Sequence, residues 1–180
     1  MKRRDLFTYG LFGTGLLAAG AVGLSMRATK AREPKTELKC FSLTEFSILA
    51  AVAECIIPGD TFFPSASDLQ VPENIDQFLF TTESYVQADF KALLHLIENA
   101  LGNGLLEFYP KTFTHSTPEE QIILLEAWQY SAINLRRTAY KALNGICQAT
   151  YFGDPQSHSL LGYDGPPPHL MQIVKAAGER

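Results

Sequence analysis

The sequence predicts an all-α fold, a small irregular helical bundle with long loops. Two helix-start signatures predict it, Ser42-Leu43-Thr44-Glu45 and Thr117-Pro118-Glu119-Glu120, together with apolar residues that recur every three or four positions after each. No run alternates with period two for long enough to make a strand, and no internal repeat is present. With 180 residues and 46% hydrophobic content, the chain fits one domain with a real core.

In the first signature a hydroxyl and a carboxylate stand three residues apart, so each can satisfy a free backbone N–H at the helix start. Phe46, Leu49, Ala53 and Ile56 then form one apolar face, and Pro58-Gly59 ends the helix. Residues 59–70 turn to Gly, Pro, Ser and Asp, a loop carrying exposed or partly sheltered Phe62 and Phe63, with Asp60 placed to cap its turn. Val71-Pro72-Glu73 opens a second helix with proline in the first turn, and Ile75, Phe78 and Leu79 follow at core spacing. A longer helix is expected over 84–101, burying Phe90, Leu93, Leu94 and Ile97 and closed by Gly102-Asn103-Gly104. At the second signature Thr117 is the cap, Pro118 the first helical residue and Glu120 the third, and Ile122, Leu125, Ala127 and Trp128 continue the apolar pattern. Residues 131–152 are helical by composition, either continuous with the preceding helix or separated from it by a kink. Gly153-Asp154-Pro155 ends that stretch, Gly162 to Pro168 is not regular helix, and a short last helix is expected over 169–177.

The N-terminus has a different character. Met1 to Arg4 is charged, and Leu6 to Met26 has no ionisable side chain except Tyr9, the layout of a signal peptide. Lys2-Arg3-Arg4-Asp5-Leu6-Phe7, with an apolar pair after two arginines, resembles the twin-arginine export motif. Five glycines (Gly10, Gly13, Gly15, Gly20, Gly23) make the apolar run a weak helix former, and basic Arg27 and Lys30 follow it, both features of that export class. General secretion stays open as one alternative, and because the run is long enough to span roughly 30 Å as a helix, an uncleaved membrane anchor stays open as another. Thr29 and Ala31 supply a small-x-small processing site, and Met26 with Ala28 a poorer one. The expected organisation is a twin-arginine signal peptide at 1–31, a polar linker at 32–39 and a helical domain at 40–180. The expected location is the periplasm, at the inner membrane through partners or an uncleaved signal, with the twin-arginine translocase as a transient partner.

The net charge of −4 divides unevenly: residues 1–31 carry five basic residues and one acid, and the remainder carries 10 basic and 18 acidic residues. An acidic body without a basic stripe excludes nucleic acid as a partner. Cys40, Cys55 and Cys147 are three thiols in a chain bound for an oxidising compartment, so one disulfide with one thiol left over is open, as is burial of Cys55 and Cys147 as small hydrophobes; the pairing is undetermined. No C-x-x-C is present, which excludes haem c attachment and thioredoxin-like chemistry on this chain. His95, His115, His158 and His169 are scattered without metal-ligand spacing. The glycines at 10, 13 and 15 lie inside the export signal rather than in a βαβ unit, and no G-x-S-x-G occurs. No catalytic, cofactor-binding or metal residue is expected.

Leu43-Thr44-Glu45, Ala53-Glu54-Cys55-Ile56-Ile57-Pro58 with Asp60, Val71-Pro72 leading to Ile75-Asp76-Gln77-Phe78-Leu79, Tyr151-Phe152, and Leu161-Gly162-Tyr163-Asp164-Gly165-Pro166 stand in an order that resembles the gluconate 2-dehydrogenase subunit 3 family. The chain departs from the family pattern at Glu54-Cys55, where an aspartate-arginine type pair is usual. The resemblance implies a non-catalytic small subunit beside a flavoprotein large subunit, a periplasmic dehydrogenase of the glucose-methanol-choline type acting on sugar acids, sugars or alcohols; Arg3-Arg4 on a chain without a cofactor motif point to its escorting and stabilising that partner. FAD is then on that partner, and in many such complexes haem c is on a third, cytochrome c subunit. Tyr163, Asp164, Gly165 and Pro166 form a rigid loop bearing an aromatic, the kind of element that fills a partner's groove. Two other readings stand beside this one: an independent exported enzyme with an unrecognised site, and a membrane-tethered interaction or chaperone protein.

Overall fold

Both start signatures cap their helices as their spacing demands. The Ser42 hydroxyl accepts the Glu45 N–H at 3.3 Å while the Glu45 carboxylate accepts the Ser42 N–H at 2.7 Å, opening α1 (Leu43–Ile56). The Thr117 hydroxyl and the Glu120 carboxylate do the same for α4 (Pro118–Gln129). The computed structural model describes residues 29–99 and 112–163, and among them the fold is all-α, with six α-helices, one 3-10 turn and no strand.

The core is built around α1, in which every residue from Glu45 to Ala53 is buried. A helix buried on all sides belongs at the centre of a bundle. Packed around it are α2 (Val71–Phe80), α3 (Ser84–Glu98), α4, α5 (Asn134–Gly153) and the 3-10 turn Phe113–His115. The polar Ser47 within it is satisfied by donating to the Leu43 carbonyl at 2.6 Å.

The neighbours of α1 bury narrower faces than their apolar residues suggest. In α2, Val71, Ile75 and Leu79 point inward with Glu73 and Asp76. Phe78, expected in the core, is 58% exposed. It lies two positions beyond inward-facing Asp76, about 200° round the helix. In α4 the buried face is Gln121, Leu124, Leu125 and Trp128, which leaves Ile122 exposed where core was expected. Gln121 takes its place there because both ends of its amide are bonded: Nε2 donates to the Phe113 carbonyl at 2.7 Å, and Oε1 accepts from the Cys55 thiol at 3.3 Å. In α3, Leu94 and Ile97 are buried while Phe90 and Leu93 are partly so. That helix stops at Glu98 instead of running to 101, and the Glu98 carboxylate accepts both the N–H and the hydroxyl of Thr114. The expected stop at Gly102-Asn103-Gly104 lies outside the described residues.

Helices α4 and α5 are separate, divided by an irregular turn over 130–133, which settles the alternative left open by composition. Inward residues of α5 (Arg136, Ala139, Leu143, Cys147, Tyr151) recur at three- and four-residue intervals. Near its start the Arg136 guanidinium lies 5.8 Å above the ring of buried Trp128. A short helix not foreseen, α6 (Pro155–Leu160), follows at once, with Asp154 Oδ1 accepting the Gln156 N–H at 2.8 Å. Arg3 and Arg4, Asp164, Gly165 and Pro166, and the helix expected over 169–177 lie outside the described residues.

The stretch 32–39, expected as a linker, is laid against the helices. The Arg32 N–H donates to Ser47 Oγ at 2.9 Å and its guanidinium to the Ala50 carbonyl at 3.3 Å. The Lys35 N–H donates to Glu73 at 3.0 Å. Asp76, 1% exposed, accepts the N–H groups of Lys39, Cys40 and Phe41 at 2.7, 3.0 and 2.7 Å. Among the described residues no helix is long and apolar enough to cross a membrane.

Candidate functional site

Where α1 ends, the chain turns sharply and builds one wall of an apolar groove. The Ile57 N–H still closes onto the Ala53 carbonyl at 2.8 Å, after which Pro58 cannot continue the helix. Gly59 then takes φ +74°, and a Cβ there would sit 2.6 Å from the Ser65 backbone nitrogen, so only glycine fits. Asp60 caps the turn as its sequence position suggests: its carboxylate accepts the N–H groups of Phe62 and Phe63, both at 2.7 Å. Further along, Ser65 N–H and hydroxyl both donate to Asp68 and hold its carboxyl below the usual range. Ser67 N–H donates to Glu54 at 3.0 Å, so the glutamate of the Glu54-Cys55 departure fastens this loop.

The opposite wall comes from α5. The Tyr151 hydroxyl donates to the Pro64 carbonyl at 2.9 Å and ties the loop to that helix. Burial, with the nearby carboxylates of Asp60 and Asp68, pushes the Tyr151 phenol up, so it stays a proton donor at neutral pH. Between the walls lies a cavity of about 390 Å³ lined by Ile56 to Asp60, Phe63, Pro64, Gln148, Tyr151, Phe152 and Leu161. Of its lining residues Phe63, Phe152 and Leu161 are exposed, and next to them in the chain Phe62 (78% exposed), Leu160 and Tyr163 also present large apolar groups to solvent.

Tyr163, two residues beyond the lining residue Leu161, packs on His158. Their rings meet edge-on with centroids 5.1 Å apart, the Tyr163 N–H donates to the His158 carbonyl, and His158 Nε2 donates to the Phe152 carbonyl at 2.9 Å. The remaining residues of the expected contact loop, Asp164, Gly165 and Pro166, lie outside the described residues. Gln148 was not singled out in the sequence, and His158 was weighed there only as a metal ligand and set aside. Nothing in the sequence places residues 148–161 opposite 56–64, because the pairing spans some ninety positions and comes from the packing of α5 against α1, with the Tyr151 hydroxyl as a tie to the loop.

The groove is poorly suited to a flavin dinucleotide, whose pyrophosphate needs backbone N–H groups at a helix N-terminus. It sits instead at the C-terminal end of α1, the negative end of the helix dipole, and its one charged lining residue is Asp60. Among the described residues no cluster of three or more His, Cys, Asp or Glu could hold a metal ion. The three cysteines are free thiols. Cys147 is buried in α5 and pushed up to about 12 by desolvation. Cys55 is pushed to about 11, chiefly by burial, against the opposing charge of Arg32. Burial also raises Cys40. Such thiols are poor nucleophiles at neutral pH.

What this arrangement offers is an apolar surface with a rigid rim, and contiguous exposed apolar groups of this kind mark binding surfaces. The motifs from the two halves of the chain, Ile56-Ile57-Pro58 with Asp60 and Tyr151-Phe152 with Leu161, meet in it. No curated protein and no solved structure matches the chain. The family model of gluconate 2-dehydrogenase subunit 3 matches residues 44–165, well over half of the chain and nearly all of the described helical body, so the protein belongs to the gluconate 2-dehydrogenase subunit 3 family.

Proposed function

We propose that this chain is the non-catalytic small subunit of a periplasmic, FAD-dependent dehydrogenase of the glucose-methanol-choline type, which it escorts through the twin-arginine translocase and then stabilises. The observation that carries this reading is family membership in a chain whose shared motifs converge on an apolar groove instead of a set of reactive groups. Oxidation of the sugar acid, sugar or alcohol, with FAD as hydride acceptor, takes place on the large subunit. From there electrons pass to haem c on a cytochrome c subunit at the membrane.

In this complex the face formed by Phe62, Phe63, Phe152, Leu161 and Tyr163 meets the large subunit. Its aromatics are preorganised by the Asp60 turn, the Tyr151–Pro64 tie and the His158–Tyr163 pair, which reduces the ordering cost of association. Arg3 and Arg4 supply the address for both chains, since the large subunit crosses folded and bound. The test is to co-express both chains and replace Arg3-Arg4 by Lys-Lys. The flavoprotein is expected to remain in the cytoplasm. Normal periplasmic levels of it would defeat the escort role.

A further inference from the structure

Six backbone N–H groups between Lys30 and Phe41 donate to side chains of the helical body. Lys30 donates to Thr114, Arg32 to Ser47, Lys35 to Glu73, and Lys39, Cys40 and Phe41 to Asp76. The four acceptors are all buried. Both oxygens of Asp76 are taken by this strap, so lifting it strands a buried carboxylate without donors, which is far costlier than never having made the contacts. The strap is therefore part of the fold, although its composition reads as linker. Its first double attachment is Arg32, held by both its N–H and its guanidinium. Immediately before it, Lys30 and Ala31 are exposed.

We propose that the strap sets the processing boundary of this protein: the export peptide is removed no further into the chain than the Ala31–Arg32 bond. The inference rests on the export reading above. Hydrolysis there, by a membrane signal peptidase, adds water across the amide and leaves a carboxylate on Ala31 and an α-ammonium on Arg32. The ammonium keeps N–H donors for Ser47 Oγ, and the guanidinium keeps Ala50, so the attachment survives the cut. A cut between Arg32 and Phe41 discards donors that Ser47, Glu73 and Asp76 require. It also demands that a segment pinned at intervals be drawn out into a protease cleft, whereas at the exposed Lys30-Ala31 end only the bond from the Lys30 N–H to Thr114 has to yield.

Two measurements decide it. In an exporting bacterium, the first residue of the periplasmic protein, read by intact mass and N-terminal sequencing, is expected at Arg32 or before it. On the purified full-length chain, trypsin is expected to cut at or upstream of Lys30 while the bonds after Lys35 and Lys39 resist, despite both side chains being exposed. In Asp76→Ala those two bonds are expected to open roughly tenfold faster or more. Should that variant not fold, Ser47→Ala carries the same test at the bond after Arg32. A processed chain beginning beyond Arg32, or native wild-type protein cut at Lys35 or Lys39 as fast as the denatured chain, overturns the proposal. Absence of any periplasmic product overturns the export reading and the boundary with it. The tryptic pattern reads the strap alone, so the two failures are told apart.

Discussion

Asp76→Ala isolates what the strap contributes to stability. The substitution removes the acceptor of three N–H groups, of which that of Phe41 is buried and those of Lys39 and Cys40 lie nearer the surface. An orphaned buried amide costs about 1–3 kcal/mol, and a hydrogen bond that water can replace about 0.5–1.5 kcal/mol. The expected loss is therefore about 4 kcal/mol, a fall of roughly 8–16 °C in melting temperature for a domain of this size. Asp76→Asn keeps one acceptor oxygen but turns an amide N–H2 towards a backbone donor, and it should fall between wild type and alanine. Urea unfolding, with midpoint and slope fitted together, measures the effect. Phe78→Ala, on the exposed side of the same helix, serves as the control and should stay within about 0.5 kcal/mol of wild type. A loss below 1 kcal/mol for Asp76→Ala, or a loss equal to that of the control, refutes the reasoning.

The buried thiols predict alkaline instability. Because desolvation raises folded Cys147 from the ordinary 9.0 to about 12, the stability it confers is whole below about pH 9 and declines as pH climbs towards 12. About 2 kcal/mol should be gone by about pH 10.5. Cys147→Ala should remove that part of the slope, and an unfolding midpoint that stays flat from pH 8 to 10.5 in wild type would count against it. Gly59→Ala forces a side chain against the Ser65 backbone at positive φ and should destabilise by about 2 kcal/mol; a change within 0.5 kcal/mol would show that the loop yields. Phe62→Ser and Phe152→Ser should leave the isolated chain within about 0.5 kcal/mol of wild type but weaken co-purification of the large subunit roughly tenfold. Full recovery of the complex with both changes would place the interface elsewhere.

Capping chemistry was legible because it is local: Ser42 with Glu45 and Thr117 with Glu120 carry their geometry in their spacing. The fold class followed from those starts and from periodicity. Which apolar residues face inward was less legible. Phe78 and Ile122 match a hydrophobic pattern, yet the angular position of each helix is set by α1, and the inward slots go to Asp76 and Gln121, whose polar atoms find partners on other segments. The strap was invisible because its bonds come from backbone donors, which every residue has, in a stretch whose side chains are those of a linker. Helix α6 carried a signal that was read only as a stop: Asp154-Pro155 is also a cap followed by proline at a first helical position. The groove's individual motifs were visible, but their meeting depends on long-range packing between α1 and α5.

The chain has a single tryptophan, and the fold places it where it can act as an internal reporter. Trp128 is 2% exposed, under the cation of Arg136 contributed by the next helix. Native emission should therefore sit to the blue of free indole and move red when α4 and α5 separate. A quenching change without a red shift would instead signal that the guanidinium has left the ring while the pocket stays dry. Unlabelled protein can thus distinguish loosening of that helix pair from global unfolding.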